Sequence, residues 1–259
     1  MSDRTKVDIA PLRQADLPFV YEWTKEWLGS EHPTAYSLTI FSSKGYTRFL
    51  AHQQSLPLSH QPSRLFGAYR GKQLLGFIEI RLMTDCLFIN NFCVRKEARG
   101  QRIGQVLIDY AVSLARDCQL PAIRLDCFAW NEKALSMYMK AGFQVLESIH
   151  WFIGKNPSAT EKNSEDFLIE GFSKAEASHK EFGFSHFQVR TTEHLYSVHR
   201  LHDQYFRMTA HEKEVDPVHL SILSQIDAER LIFVISPSAE LHGSGWNEVS
   251  KSVRLERFV

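Results

Sequence analysis

The chain has 259 residues, a length that suits two domains better than one. Thirty Lys and Arg balance thirty Asp and Glu, which argues against a bulk polycationic nucleic-acid binder. Apolar residues are 44% and charged residues 23%, with no run long enough for a transmembrane helix, so wholesale disorder and membrane spanning are both excluded as expectations. The N-terminal stretch lacks an apolar signal core, and the expectation is a cytoplasmic protein without nucleic-acid or membrane partners. Cys86, Cys93, Cys118 and Cys127 form no CxxC pair, which argues against a disulfide framework or a structural zinc site. The balanced charge hides an asymmetry. Residues 1–155 carry 19 basic and 14 acidic side chains, a net +5, and the remainder carries 11 and 16, a net −5. A basic first part suits a small polyanionic ligand.

Val7–Leu12 reads as a strand, followed by a helix capped at Asp16, with Pro18 in its first turn and Leu17, Val20, Trp23, Trp27 and Leu28 near helical spacing. Residues 29–62, rich in Ser, Gln, Pro and His, read as loop and helix fragments. Leu65–Tyr69 and Leu74–Met83 flank the turn Arg70-Gly71-Lys72 as a hairpin, and Leu87–Val94 is a further strand. Ile103, Val106, Leu107, Tyr110, Ala111, Leu114 and Cys118 follow helical spacing. Ala122–Cys127 is a short buried strand. A helix then starts at Asn131 and ends at Gly142, and Phe143–Ile153 returns as strand.

The polar stretch 156–186 is expected as a linker region between a first domain, 1–155, and a second, 187–259. In the second part the pattern restarts. Phe187–Thr192 reads as a strand entering a helix with Leu195, Val198, Leu201 and Tyr205 at helical spacing, which parallels Val7–Leu12 and its helix. Arg230–Ile235 parallels Arg64–Tyr69, Glu240–Ser244 parallels the strand from Leu74, and Leu255–Val259 parallels Ile89–Cys93. This describes a partial, degenerate duplication that stops where the first copy reaches its glycine-bearing loop. The last strand then leaves an edge open to pairing with another chain, as in a homodimer. His179, His186, His194, His199, His202, His211, His219 and His242 lie in this part. His199 and His202 are i,i+3 on the expected helix, without an evident third ligand, and no metal site is expected.

Two stretches carry chemistry. In Leu87–Gly104 a buried strand runs through a loop with two glycines into a helix, a setting in which successive backbone N–H groups and the helix dipole bind phosphate. Asn131–Phe143 places Asn131, Ala134, Tyr138 and Ala141 on one helix face. In this order and spacing the two stretches resemble the GNAT superfamily of acyl-CoA N-acyltransferases, over roughly residues 5–153. The family's pyrophosphate loop, Gln/Arg-x-x-Gly-x-Gly/Ala, is represented by Arg99, Gly100, Gln101, Arg102, Ile103 and Gly104, with Arg102 at the usual place of the middle glycine. The family's Asn-x-x-Ala-x-x-x-Tyr-x-x-x-Gly-Phe is matched in full by Asn131 through Phe143.

The resemblance implies an α/β (α+β) fold: a mixed, mostly antiparallel sheet flanked by helices, here with a smaller α+β C-terminal domain. It implies acetyl-CoA as co-substrate, its pantetheine arm between the parted strands Leu87–Val94 and Ala122–Cys127, against the main chain of Phe92, Cys93 and Val94. It implies direct attack of an amine, from a small molecule or a peptide, on the thioester, with Tyr138 as proton donor to the leaving thiolate. Alkyl amines have pKa near 10.4, so a base or a water chain must take a proton first. Family members often carry an acid where this sequence has Asn90-Asn91. Glu79, on the preceding strand and on the face of Phe77 and Arg81, is the leading candidate; Asp85, Asp126 and a water relay are the others. The alternative is a non-catalytic acyl-CoA-binding or interaction protein.

Overall fold

A computed structural model describes residues 6–156, 166–210, 213–243 and 245–259. In chain order its elements are β1 (Asp8–Pro11), α1 (Leu17–Thr24), α2 (Pro33–Ser37), α3 (Tyr46–Ser55), β2 (Arg64–Arg70), β3 (Gln73–Leu82), β4 (Leu87–Val94), α4 (Ile103–Asp117), β5 (Ala122–Phe128), α5 (Glu132–Lys140), β6 (Gln144–Gly154), β7 (Leu168–Glu170), α6 (Phe172–Phe182), β8 (Phe184–Arg190), β9 (Leu195–Leu201), β10 (Tyr205–Thr209), α7 (Pro217–Ile226), β11 (Leu231–Ser236) and β12 (Asn247–Phe258). The mixed, mostly antiparallel α/β architecture expected from the sequence is present. No helix among the described residues is long and apolar enough to cross a membrane.

The chain divides into two compact units that interleave in sequence. The first takes the described residues of Met1–Trp27, Thr47–Glu147 and Val253–Val259; the second takes Leu28–Tyr46 and those of Ser148–Ser252. The sequence boundaries at 155 and 187 therefore cut the chain at different places from the packing.

In the first unit β1, β2, β3 and β4 are successively antiparallel, and β4 runs parallel to β5 after the crossover through α4. The helix forms there because Ile103, Leu107, Ile108, Ala111, Val112 and Ala115 recur at 3–4 residue spacing, and the same residues are buried against Ile78, Ile80, Leu87 and Ile123. The C-terminal residues of β12 lie between β5 and the first residues of β6. Leu255 is fully buried in this core. Arg254 pairs with Asp126 at 2.8 Å, Glu256 with Arg124 at 2.7 Å, Arg257 Nη1 donates to the Ala141 carbonyl at 2.7 Å, and Val259 N to the Pro121 carbonyl at 3.1 Å. The expected open edge at the last strand is thereby corrected: the strand is flanked on both sides.

In the second unit β7, β8, β9 and β10 are successively antiparallel, β10 runs parallel to β11 after a crossover through α7, and β11 pairs with residues 150–154 of β6. This repeats the order and sense of β1 to β5. The repeat is thus aligned differently from the sequence reading, and it continues past the point where that reading ended it. Leu195–Tyr205 is not a helix. Tyr196, Val198 and Arg200 are buried while Leu195, Ser197 and His199 are exposed, a period of two that makes β9, and His202 turns the chain with φ +50°. His199 and His202 therefore share no helix face. Residues 240–243 are not a strand, and Ser244 lies outside the described residues. Of the expected linker, 157–165 is likewise outside them, and 166–186 holds β7, α6 and the start of β8, with Gly171 and Gly183 in left-handed conformation at the two ends of α6.

Candidate active site

The first unit contains a break in its sheet. Pairing between β4 and β5 runs only over Leu87–Ile123, Phe88–Arg124 and Ile89–Leu125. On the other side of β4 the register to β3 shifts between Glu79 and Ile80: Asn91 faces Glu79, Ile89 faces Ile80, and Asn90 is left over as a bulge. An extra residue bends the strand and increases its twist, which takes Phe92, Cys93 and Val94 away from β5 while they stay paired to Ile78, Phe77 and Gly76. Pairing to β5 ends at Ile89, and the Asn90 side-chain nitrogen next to it is buried without a hydrogen-bond partner among the described residues.

The strand ends in the Arg99–Gly104 loop. Gly100 has φ +78° and Arg102 has φ +60°, ψ +15°; Arg102 is the residue before α4, and no side chain caps the helix. The middle glycine of such a loop is explained by this conformation, which an L side chain adopts at a cost of roughly 1–2 kcal/mol. The first helical hydrogen bond runs from Val106 N to the Arg102 carbonyl, so the amides before it point out of the helix end. Arg99 Nε donates to the Val94 carbonyl at 3.3 Å, and Arg70 reaches Gln101 Oε1 at 3.0 Å, which brace the loop with cations. A Cβ on Gly104 would stand 3.1 Å from Met137 Sδ and 3.3 Å from Phe92 Cζ, so glycine permits the close approach of α4, α5 and β4. Ile103 is buried beneath the loop. An elongated anion with a peptide-like arm fits this arrangement: outward amides and guanidinium groups at the loop, then unpaired strand edge in the gap.

Tyr138, on α5, is buried against Phe92 and Phe143, with ring centroids 6.1 and 5.7 Å away. Burial pushes its hydroxyl well above the ordinary tyrosine pKa, and the neighbouring Cys127 and Cys93 add to the effect. Burial likewise pushes the Cys93 and Cys127 thiols up to about 12, so neither is poised as a thiolate nucleophile. Asn131 and Ala134 have a local role: Asn131 Oδ1 accepts from Ala134 N at 3.2 Å and caps α5.

The base candidates are less well placed. Glu79 is fully buried, opposite Asn91, whose Nδ2 donates to Thr24 Oγ1 on α1 at 3.3 Å. Asp85 is bound to Arg124 at 2.6 Å, which holds its carboxyl below the usual range, and Asp126 receives two hydrogen bonds from Arg254 at 2.8 and 3.0 Å. The structure brings Tyr138, Cys93, Phe92 and the loop together, leaves Glu79 enclosed, and ties Asp85 and Asp126 into ion pairs.

The second unit lacks each of these features at the matching places. Pairing of β10 with β11 continues over all five residues, from Tyr205–Leu231 to Thr209–Ile235, and no bulge interrupts β9 against β10. The helix α7, which corresponds to α4, is capped by Asp216, whose Oδ1 accepts from Val218 N at 2.8 Å and His219 N at 3.4 Å. A carboxylate of the chain itself sits where the first unit has outward amides. No group of three or more His, Cys, Asp or Glu able to hold a metal occurs among the described residues; His211 lies outside them.

The Acetyltransferase (GNAT) family model matches residues 17–143. A Bacillus subtilis (strain 168) protein that carries the provisional name ribosomal protein bS18-alanine N-acetyltransferase is 31% identical over 71 residues, 27% of this chain and 47% of that protein, so the chain spans about half the length of the curated relative it matches. Among solved structures, a GCN5-related N-acetyltransferase from Sphaerobacter thermophilus aligns with 100% of this chain and 96% of its own at TM-score 0.60 and 11% identity, a likeness of fold. The PaiA N-acetyltransferase of Thermoplasma acidophilum, solved with coenzyme A, aligns with 55% of this chain and 92% of its own at TM-score 0.48 and 21% identity. The N-terminal domain of this chain is a GNAT acetyltransferase-family domain.

Proposed function

We propose that the first unit transfers an acetyl group from acetyl-CoA to a primary amine in a ternary complex, and that the second unit binds no donor. One observation carries the reading: β4 parts from β5 at the Asn90 bulge and leads directly into the left-handed, cation-braced loop before α4. Arg99, Gly100, Gln101, Arg102, Ile103 and Gly104 would hold the phosphates, and the main chain of Phe92, Cys93 and Val94 the pantetheine arm. Acetyl-CoA supplies an activated acyl group as its thioester. A main-chain N–H of Cys93 or Val94 would stabilise the charge that develops on the carbonyl oxygen. Tyr138, protonated throughout the physiological range, would donate a hydrogen bond to the departing sulfur and so stabilise the charge on it. Glu79, being enclosed, would serve as base only through a relay, and water is the natural carrier. The provisional name of the Bacillus relative gives the nitrogen of an alanine as its acceptor, which supports an amine acceptor for this chain.

A second reading, a domain that binds acyl-CoA without turnover, is favoured by the burial of Glu79 and the ion pairing of Asp85 and Asp126. Calorimetric titration with acetyl-CoA, with desulfo-CoA and ATP as controls, is expected to give one saturable site per chain. Absence of binding refutes both readings. Binding with no acetyl transfer to any of a panel of amines leaves the second.

A further inference from the structure

The connection that carries α5 in the first unit is built differently in the second. In the first unit β5 leads into α5, whose Ala134, Leu135, Met137 and Tyr138 pack on the core, and the chain then returns as β6. In the second unit β11 leads into residues 237–246, whose described members form no helix, and the chain returns as β12. Beside that stretch lies a cavity of about 730 Å³, a size that suits a small organic molecule. Ile153 on β6, Leu231 on β11, Val215 and Leu220 around the start of α7, and Trp246 line it. All five are half-buried, so the walls keep apolar surface that a further apolar body would cover. Trp246 is held in place: a Cβ on Gly154 would stand 2.5 Å from its Cε3 and Cζ3, so the indole rests directly on that backbone.

The mouth is polar, and its unmatched charge is positive. Lys155, His242 and Asn247 stand there, all exposed. Glu214 lies 3.9 Å from His242, and Glu240 3.5 Å from Lys213, so the adjoining acids already have partners. Lys155 makes no ion pair among the described residues. An apolar ligand with a carboxylate gains both the walls and the ammonium. A neutral one gains the walls alone, and a cation is repelled at the mouth.

We propose that the second unit binds a small apolar carboxylate in this cavity, its body against Leu220, Leu231 and Trp246 and its carboxylate on the Lys155 ammonium. The site is separate from the donor and acceptor chemistry of the first unit and does not depend on it.

The test is calorimetric titration of the full chain, with and without CoA, using 2-naphthoate and its equal-sized neutral and cationic counterparts, 2-naphthalenemethanol and 2-naphthylmethylamine. The carboxylate is expected to bind saturably, about fivefold more tightly than the alcohol and about tenfold or more above the amine, as one exposed ion pair would give. Lys155→Gln is expected to abolish the fivefold advantage and to leave the alcohol unchanged. Leu220→Trp, which fills the cavity, is expected to weaken all three by about tenfold or more. If Leu220→Trp does not fold, as judged by thermal unfolding, Lys155→Gln decides, because an exposed side chain is replaced. Absence of saturable binding overturns the proposal, as does equal binding of acid and amine, or an acid affinity that Lys155→Gln leaves intact. Undiminished binding to a folded Leu220→Trp variant overturns it too, and so does binding that CoA abolishes, which would belong to the first unit.

Discussion

Leu255 offers a sharp test of how the first unit is held together. It stands four residues before the end of the sequence, yet it is fully buried in the core that contains α4, β4 and β5. Leu255→Ala deletes three carbons from a site closed on both sides by strands, so little collapse can fill the void. Such truncations cost about 2–5 kcal/mol, and the enclosed position argues for about 3–4 kcal/mol. For a unit of this size that corresponds to a drop of roughly 10 °C in Tm. Thermal unfolding measures the loss, and hydrogen exchange read by mass spectrometry locates it. Amides of α4 and β5 are expected to lose protection, while those of β8 and β9 change less. A loss below about 0.5 kcal/mol, or deprotection confined to β8–β10, refutes the assignment of this strand to the first core.

Arg102→Gly is expected to stabilise the fold by about 0.5–1 kcal/mol, because release from the left-handed conformation outweighs glycine's greater freedom when unfolded; chemical denaturation checks this, and destabilisation would contradict the strain. The same change should weaken CoA binding at low salt, and the difference from the parent should shrink as salt rises. Tyr138→Phe should lower kcat more than it weakens CoA binding, and the raised pKa of Tyr138 means that no loss of its proton should limit kcat below pH 10. An equal kcat would remove its role at the departing sulfur. His219, buried on Tyr196 with ring centroids 4.5 Å apart, has its pKa lowered by burial from 6.5 to about 4. Above pH 6.5 it is neutral folded or unfolded and its contribution is complete. As pH falls from 6.5 toward 4 the unfolded chain takes a proton that the fold refuses, and about 3 kcal/mol is lost across that window. His219→Phe should flatten this part of the pH–stability curve; an unchanged slope refutes the cause.

The local features were legible because their causes are local. The hairpin around Gly71 needs a turn that glycine permits, α4 needs apolar residues at helical spacing, and the helix from Asn131 needs an oxygen to cap it; each lies within a few residues. The Arg99–Gly104 loop and the Asn131–Phe143 pattern were legible for the same reason, since a glycine-bearing turn into a helix start is a short-range device. Leu195, Val198, Leu201 and Tyr205 misled because their spacing fits a helix, while the alternating burial that makes β9 depends on a core far away in sequence. The repeated topology was visible only as an echo, in the wrong alignment, because strand order is set by pairing and not by residue identity.

What the sequence by itself determined, then, is the mixed α/β class, the family of its N-terminal domain and the place of the loop before α4. Only the tertiary structure decided that Leu28–Tyr46 packs with the second unit and Val253–Val259 with the first, that Asn90 is the residue bulged out to open the gap, and that β10, α7 and β11 repeat the arrangement of β4, α4 and β5. Each of these depends on which distant strand lies alongside, through hydrogen bonds and buried area shared by segments as much as 132 residues apart, as Arg124 and Glu256 are, and no periodicity within a window of the chain encodes that choice.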